Sequence, residues 1–469
     1  MSETSTPAAP SDAARLVDAL RAAVDRRFPD TVQTLKDLVA IPGIAWDTAD
    51  RAQLERSAQT VAGLLREVGL QDVQVETLDR PDGRPGGPAV MGSRPAAPGR
   101  PTVLLYAHHD VQPLGDEDLW DTPPLVATER DGRLYGRGAA DDKAGVMVHL
   151  AALAALDEVL PEAGVGVRVF IEGEEEAGSP TFRGFLEAHR DRLAADAIVV
   201  ADSANWAVGE PALTTSLRGL VDGTVTVQVL DHAVHSGVFG GPVLDAVVLL
   251  SRLISTLHDA DGAVAVLGLE PRHHADVEYP EADFRRDAGV LDGARLAGRG
   301  SLADRLWNAP ALSVIGMDVP SVAGSSNTLQ PTARAKFSLR LGPGMDPKEA
   351  FEALRTHLEA QSEAVLGARI TVEAGEFGQP FATDTSSEPA VAMLGALEDA
   401  WGVPAREIGL GGSIPFTADL QEVFPEAVLL ITGVEDPDSR AHSANESLHL
   451  EDFRRAVLAE AIWLARLSL

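Results

Sequence analysis

The stretch KAGVMVHLAALAALDEVLPEAGVGVRVFIEG, Lys143–Gly173, decides the fold class, because a helical pattern leads directly into an apolar strand. The pattern predicts a helix over Lys143–Val159 and a strand over Gly164–Gly173. Similar apolar runs precede this stretch at Thr102–Val111 and follow it at Ala195–Ser203. Strands that alternate with helices in this way predict an α/β fold with a mostly parallel sheet.

The pattern changes near Leu213, where apolar and polar residues begin to alternate as they do in a half-exposed antiparallel strand. Further strands and helices follow, and the earlier helix–strand pattern returns after residue 383. We therefore predict a larger α/β domain in two parts, residues 1–212 and 384–469. A smaller α+β domain, residues 213–383, is predicted to be inserted between these parts.

The composition limits what the protein can bind. The 469 residues carry a net charge of −32 at pH 7, which argues against binding to nucleic acid or to anionic membranes. The chain contains no cysteine, so any metal must be bound by His, Asp or Glu. The sequence shows neither a secretory leader nor an apolar run of about 18 residues, and we therefore expect a cytoplasmic protein.

Several apolar runs end in side chains that can bind a metal ion. These side chains are His108, His109 and Asp110, then Asp141 and Asp142, then Glu175 and Glu176, then Asp202, and far downstream His442. Sites in α/β sheets lie beyond the carboxyl ends of the strands, so we expect these groups to converge. Divalent cations would offset the repulsion among the carboxylates, and zinc, manganese and cobalt all suit such ligands. The glutamates of EGEEE, residues 172–176, are thus expected to face metal.

Each of these clusters, taken alone, also fits an ordinary structural role. A His-x-Asp sequence at the end of a strand is often a surface turn. The pair Asp141 and Asp142 could cap the helix that follows it, because aspartate favours helix N-termini. A run of glutamates is commonly a solvated face. The coincidence of all the clusters is what favours a metal site.

Five segments in order, HHD, GRGAADDKAG, EGEEEAGS, DHAVHSG and AHSANE, resemble the aminoacylase/carnosine-dipeptidase family of dinuclear zinc metallopeptidases. The resemblance covers nearly the whole chain and is to the cytosolic dipeptidase branch. It implies a catalytic α/β domain with an inserted lid and dimerisation domain, and a homodimer. It also implies two divalent ions per subunit, with zinc foremost and manganese or cobalt as compatible alternatives.

The resemblance further implies five metal ligands, which are His108, Asp141, Glu176, Asp202 and His442. His108 and Asp202 would bind one ion, and Glu176 and His442 would bind the other. Asp141 would bridge the two ions, and the peptide bond that follows it would be cis.

Two further residues would assist these ligands. Asp110 would hydrogen-bond the far side of the His108 ring and fix its tautomer. Glu175 would be the general base, which takes a proton from a water held between the ions and passes it to the leaving amine. Neighbouring side chains in an extended stretch point in opposite directions, so the residues alone leave open which of Glu175 and Glu176 is base and which is ligand. The resemblance implies that the first of the two is the base and the second the ligand.

The resemblance also implies substrate contacts outside the metal ligands. His235 would reach into the site of the partner subunit and stabilise the oxyanion, and Thr328 would act similarly. Arg340 would pair with the terminal carboxylate of the substrate, and Ser413 would add a hydrogen bond. Without the resemblance, His235 fits an ordinary loop histidine and Arg340 a solvated surface residue.

The function predicted from these residues is hydrolysis of the peptide bond of dipeptides. An N-acyl amino acid deacylase of the same family is the alternative, and a non-catalytic metal-binding module is a further one. Related dipeptidases often carry Glu where this chain carries Leu410, so recognition of the free amine would need another acid such as Glu407 or Asp419. None of the implied ligands is missing, which argues against the non-catalytic module.

Overall fold

The computed structural model describes residues 12–412 and 415–469. The helices of these residues are α1 (Asp12–Val39), α2 (Arg51–Glu67), α3 (Lys143–Val159), α4 (Phe182–Ala188), α5 (Arg190–Leu193), α6 (Ser236–Phe239), α7 (Ala246–Ser255), α8 (Glu281–Asp287), α9 (Leu302–Trp307), α10 (Pro347–Ala360), α11 (Glu388–Trp401), α12 (Pro415–Val423) and α13 (Leu450–Ser468). Short 3-10 turns cover Glu117–Leu119 and Glu175–Ala177.

The strands of the same residues are β1 (Gln71–Glu76), β2 (Ala89–Arg94), β3 (Thr102–His108), β4 (Thr128–Arg130), β5 (Arg133–Tyr135), β6 (Gly166–Glu172), β7 (Ala197–Val200), β8 (Ala212–Leu217), β9 (Gly219–Gln228), β10 (Val234–His235), β11 (Ala311–Asp318), β12 (Thr328–Leu329), β13 (Thr332–Leu341), β14 (Arg369–Gly378), β15 (Phe381–Ala382), β16 (Arg406–Leu410), β17 (Val428–Ile431) and β18 (Ser447–His449).

The chain forms two compact units. The first unit is the described part of Met1–Thr215 together with Thr383–Glu407 and Asp419–Leu469. The second unit is Ser216–Ala382 together with the described part of Ile408–Ala418. In the sequence, the segments of the first unit therefore lie before and after Ser216–Ala382.

The first unit contains a large mixed sheet. Its central strands run in the order β6-β3-β7-β17 and are parallel. Strands β1 and β2 extend one side and β8 the other, and these outer pairings are antiparallel. The predicted α/β class is confirmed, and the parallel character is confined to the centre of the sheet.

Helix α3 occupies the middle of the first core, where it packs against α1, α13 and β3. Most of its residues from Lys143 to Leu156 are buried, and most of these are apolar, as expected for a helix that is covered on nearly all sides. The parallel strands β3, β6, β7 and β17 end at His108, Glu172, Val200 and Ile431. Parallel strands end at the same edge of a sheet, so the segments that follow these four residues are brought together.

The second unit contains a four-stranded antiparallel sheet in the order β11-β13-β9-β14. Alternate residues of β13 are buried, and α7 and α10 pack against the sheet. This alternation is that of a sheet with one covered face, which confirms the predicted α+β character. In the part of the chain that the structure describes, no helix is both long and apolar enough to span a membrane.

Candidate metal centre

The first cluster of potential ligands forms where β3 and β7 end. His108 is the last residue of β3, and its Nε2 atom lies 3.1 Å from Oδ1 of Asp141. Asp202 follows β7 by two positions and completes the group. One ligand atom from each of these residues lies within 4.8 Å of the others. The spacing is that of a site for a single ion.

A second cluster shares Asp141 with the first. The Oδ2 atom of Asp141 lies 3.0 Å from Nε2 of His442, and Oε2 of Glu176 lies 3.2 Å from the same nitrogen. These ligand atoms also lie within 4.8 Å of one another. All the ligands expected from the resemblance thus fall into two groups, with the two carboxylate oxygens of Asp141 directed one to each group.

The chemistry of these donors suits divalent cations. Each group offers one imidazole nitrogen and two carboxylates, a set that fits zinc and is also compatible with manganese and cobalt. Burial raises the pKa of Asp202 to about 7, because it disfavours the charged carboxylate. Burial also acts to raise the pKa of Asp141, but hydrogen bonds with His108 and His442 outweigh it and lower that pKa. A pair of ions would compensate the charge of these carboxylates.

Asp110 links the His108 ring to the glutamate turn. Its Oδ1 atom lies 3.3 Å from Nδ1 of His108, the ring nitrogen that faces away from Asp141. Its two carboxylate oxygens accept hydrogen bonds from the backbone N–H groups of Glu175 and Glu176, each at 3.1 Å. One buried carboxylate therefore orients a histidine ligand and the turn that carries Glu176.

The side chain of Asp142 supports the backbone of His108. Its Oδ2 atom accepts a hydrogen bond from His108 N at 3.0 Å, and the Asp141–Asp142 peptide bond is cis. Asp142 precedes α3, but its side chain makes no capping hydrogen bond to that helix. The alternative that the aspartate pair serves to cap α3 is therefore wrong for Asp142.

Gln112 holds Glu176 in place and was missed by the sequence reasoning. Its backbone N–H donates to Oε1 of Glu176 at 3.2 Å, and its side-chain amide donates to Oε2 at 2.7 Å. Gln112 follows the HHD segment by two positions, so its closeness to His108 in the chain was the available signal. A glutamine is not a metal ligand of the predicted type, so this position alone does not indicate its role.

Glu175 begins the 3-10 turn beside both clusters. Burial raises its pKa to about 9, against a smaller opposing effect of His108. Burial thus favours the protonated carboxyl group. A neighbouring divalent cation would lower this pKa, because it favours the charged form.

The four glutamates of EGEEE do not act as one group. Glu172 accepts a hydrogen bond from the hydroxyl of Tyr106 at 2.8 Å. Glu174 is buried and accepts hydrogen bonds from Gly87 N at 2.8 Å and Arg80 Nε at 3.0 Å. The expectation that the whole run faces metal is wrong for Glu172 and Glu174, because protein groups already bind these two carboxylates.

Three of the expected substrate contacts lie in the second unit. His235 and Thr328 face each other directly across the short β10–β12 pairing. Arg340 is on β13, on the face whose residues alternate with the buried ones. Ser413 lies outside the described residues.

Neither acid that could replace a glutamate at position 410 belongs to a ligand cluster. Leu410 is the last residue of β16, and Glu407 is exposed on the same strand. The Asp419 carboxylate lies 3.1 Å from Nη1 of Arg183, so it is already paired. Glu435, which was not predicted from the sequence, lies next to the segment that follows Asp202. Its backbone N–H donates to Ser203 O at 3.3 Å, and its carbonyl oxygen accepts from Asn205 N at 2.8 Å. Burial raises the pKa of its carboxyl group well above the usual range.

Comparison with known proteins identifies the family. Residues 104–464 match the sequence model of peptidase family M20/M25/M40. The chain belongs to this peptidase family. The family resemblance drawn from the motifs is thereby confirmed, and so is the expectation of a metallopeptidase.

Alignments with named relatives extend over most of the chain. The cysteinylglycine-S-conjugate dipeptidase of Corynebacterium striatum is 36% identical over 416 residues, which is 87% of this chain and 89% of that protein. The Beta-Ala-His dipeptidase of Homo sapiens is 29% identical over 464 residues, 94% of this chain and 90% of that protein. The crystal structure of human carnosine dipeptidase 1 matches with a TM-score of 0.74 at 26% identity, covering 98% of this chain and 99% of that one. These M20 relatives confirm the dipeptidase branch.

Proposed function

We propose that this M20 family member is a dipeptidase that hydrolyses the single peptide bond of dipeptides. The observation that carries the proposal is the pair of ligand groups that share Asp141, with Glu175 beside them. The dipeptidases among its relatives support the same activity. A deacylase is less well supported, because none of these relatives is named as one.

The chain supplies ligands for two ions in this proposal. His108 and Asp202 would hold one ion and Glu176 and His442 the other, while Asp141 would hold both. When bound, two divalent ions supply Lewis acidity and a water molecule of lowered pKa. Zinc is the ion we expect, with manganese or cobalt as compatible substitutes.

Glu175 would move the proton during hydrolysis. Its carboxylate would take a proton from the attacking water and give it to the leaving amine. The carboxylate of its neighbour Glu176 accepts two hydrogen bonds from Gln112, which orient Glu176 as a ligand. Asp110 binds the backbone N–H groups of both residues, which would hold in place the turn that carries the base.

Residues of the second unit would recognise the substrate. Arg340 would pair with its terminal carboxylate, since a guanidinium matches a carboxylate in shape and charge. Cross-strand neighbours present their side chains on the same face, so His235 and Thr328 offer two polar groups side by side. We propose that these two residues stabilise the oxyanion in the site of a partner subunit, and that Ser413 adds a hydrogen bond to the substrate.

A homodimer is part of this proposal. Strand β11 lies at an edge of the second sheet. It carries exposed apolar side chains at Val314, Ile315 and Met317. Exposed apolar residues on an open edge strand favour pairing with another chain, and a second copy of this chain is the partner we propose.

We also propose a cytoplasmic location without a nucleic-acid or membrane partner. The net charge of −32 supports the absence of such partners, because a strongly acidic surface is repelled by phosphate backbones and by anionic lipids. Fractionation of the source cells, with the protein recovered from the membrane pellet as the contrary result, would test it.

A substrate panel tests the activity. The purified protein, loaded with Zn²⁺ or Mn²⁺, is given cysteinylglycine S-conjugates and β-alanyl-histidine, each with a free and an N-acetylated amine. Metal-stripped protein is the control for each substrate. We expect cleavage of the free dipeptides. Faster cleavage of the acetylated forms would favour the deacylase instead.

A further inference from the structure

The carboxylate of Glu446 is fully buried and belongs to none of the ligand groups described above. Glu446 lies four positions beyond His442, in the loop between β17 and β18. A buried carboxylate is costly unless other groups compensate its charge. The hydrogen-bond donors around Glu446 therefore identify the chain segments that its carboxylate connects.

Backbone amides from the loop before α3 bind this carboxylate. Its Oε1 atom accepts hydrogen bonds from Ala140 N at 3.0 Å and from Asp141 N at 3.2 Å. Its Oε2 atom accepts one from Gly138 N at 3.1 Å. Gly138 has a φ of +78°, and an added Cβ would lie 2.5 Å from a side-chain carbon of Val111, so the loop requires glycine there. The carboxylate thus fixes the backbone of the ligand that both clusters share.

Arg137 completes the arrangement. Its Nη1 atom donates to Oε2 of Glu446 at 2.6 Å, and this guanidinium is also buried. Its Nη2 atom donates to the carbonyl oxygens of Pro113 at 3.3 Å and Ser443 at 3.4 Å. Ser443 directly follows His442. The pair of Arg137 and Glu446 therefore contacts the backbone of Asp141 and the residue that follows His442, and Asp141 and His442 are two ligands of the second cluster.

The loop that carries His442 needs such anchors. Arg440, His442 and Asn445 have φ values of 56°, 63° and 63°, a backbone region that side-chain-bearing residues rarely adopt. Such a conformation persists only when surrounding contacts determine it. The side chain of Asn445 provides one anchor, since it accepts from Asp121 N at 2.8 Å and donates to Leu119 O at 3.2 Å. Glu446 provides the other anchor.

We propose that Glu446, together with Arg137, is a positioning residue that fixes the distance between Asp141 and His442 and so couples the two metal subsites. This inference rests on the proposed function, because it assumes that the two clusters bind ions. Glu446 touches the backbone beside the ligands and no ligand side chain. Its loss would leave every ligand present and allow the shared aspartate and the exposed histidine to move apart.

A purely structural role for Glu446 leads to a different expectation. In that case its replacement would lower thermal stability and leave metal affinity unchanged. Asp452 offers a matched control, because its buried carboxylate accepts from Gly209 N at 2.8 Å, seven positions beyond Asp202, and from Trp401 Nε1 at 3.2 Å, and not from the backbone of a metal ligand. Glu446→Gln and Asp452→Asn are isosteric changes of the same kind.

The experiment measures metal binding by the full-length protein after removal of all metal. Zn²⁺ is titrated in competition with a chromophoric chelator, and thermal unfolding is recorded for each variant with and without Zn²⁺. We expect Glu446→Gln to weaken binding of both ions by about 10- to 100-fold, as is common when a group that orients ligands is lost. Asp452→Asn is expected to lower the unfolding temperature without weakening Zn²⁺ binding.

A second variant covers the case in which Glu446→Gln does not fold because it leaves the Arg137 charge buried and unpaired. The double variant Arg137→Met, Glu446→Gln removes both charges and avoids that penalty. Wild-type affinity for both ions in either folded variant would overturn the inference. A wild-type protein that binds two ions but cleaves no dipeptide would reject the proposed substrate and leave this inference intact. A wild-type protein that binds no ion would reject both.

Discussion

The Nε2 atom of His442 lies 3.0 Å from Oδ2 of Asp141, and the two side chains differ sharply in exposure, at 58% and 8%. The other histidine at the centre, His108, is completely buried. The two clusters are therefore unequal, since one is closed by protein and the other has a ligand open to solvent. This asymmetry has a direct consequence for removal of the metal.

We expect a chelator to remove the two ions in sequence. The ion held by Glu176 and His442 should leave first, because a chelator can reach the exposed imidazole. Stopped-flow release of Zn²⁺ to a chromophoric chelator should show two phases. The fast phase should be absent in His442→Ala and retained in Asp202→Ala. A single phase in the wild-type protein, with equal amplitude for both ions, would contradict this expectation.

Replacement of the proposed base should separate chemistry from metal binding. Glu175→Gln removes a proton acceptor and no ligand, so both ions should remain bound while kcat falls about 10²- to 10⁴-fold. Metal content by mass spectrometry and steady-state kinetics on a dipeptide check the two parts. Glu187→Gln, at an exposed glutamate of α4 that pairs with Arg183, is the control and should keep normal turnover. Near-normal hydrolysis by Glu175→Gln would exclude this residue as the base.

Glu172 should make stability depend on pH. Burial raises its pKa to about 8 from an ordinary 4.5, so the folded protein holds a proton that the unfolded chain has already lost between these values. This contribution to the free energy of unfolding is fully present below pH 4.5 and is lost as the pH rises through 8, by at most about 1.4 kcal/mol per pH unit.

Urea unfolding of the wild-type protein and of Glu172→Gln between pH 5 and 9 tests this expectation. The glutamine carbonyl can still accept the hydroxyl hydrogen bond of Tyr106, but the side chain does not titrate. The difference in unfolding free energy between the two proteins should therefore change in favour of the variant from pH 5 to about 8 and level off above it. Parallel curves would show that Glu172 does not retain its proton in the folded protein.

The edge strand β11 should control assembly. Ile315→Lys places a charge among the exposed apolar residues of this strand and should convert a dimer to monomers. Turnover should fall with it, since His235 is proposed to act in the site of the partner. Leu366→Lys changes an apolar residue that is exposed elsewhere in the second unit and should leave the dimer intact. Light scattering together with kinetics gives the answer, and a fully active monomeric wild-type protein would refute the shared site.

The sequence predicted the ligand clusters because strand ends are a local signal. An apolar run that stops at a polar residue is visible in the chain, and parallel strands bring such ends to one edge of the sheet. His108 and Asp202 follow this rule directly. The assignment of particular ligands to each of two ions and the assignment of Glu175 as base came instead from the family resemblance, and the base assignment remains a prediction.

The residues that the sequence did not predict act through contacts between distant segments. Gln112 reaches Glu176, and Glu446 reaches the backbone of Asp141, and although both lie in or next to the quoted motifs, no local pattern shows which distant group each contacts. Strands β1 and β2 were not predicted, for a different reason. None of the six residues of β1 is buried, so it lacks the apolar run by which the buried strands were recognised, and the apolar run of β2 ends after Met91. The parallel centre of the sheet and the alternation that begins in β8 were visible in the sequence, and these two antiparallel strands were not.

The division of the glutamate run has a consequence for mutagenesis. Glu174 belongs to a buried ion pair with Arg80, whereas its neighbour Glu175 is the proposed general base. A saturation scan across this short segment should therefore return two phenotypes from adjacent codons. Changes at Glu174 should reduce the yield of folded protein, and changes at Glu175 should give full yields of an inactive one.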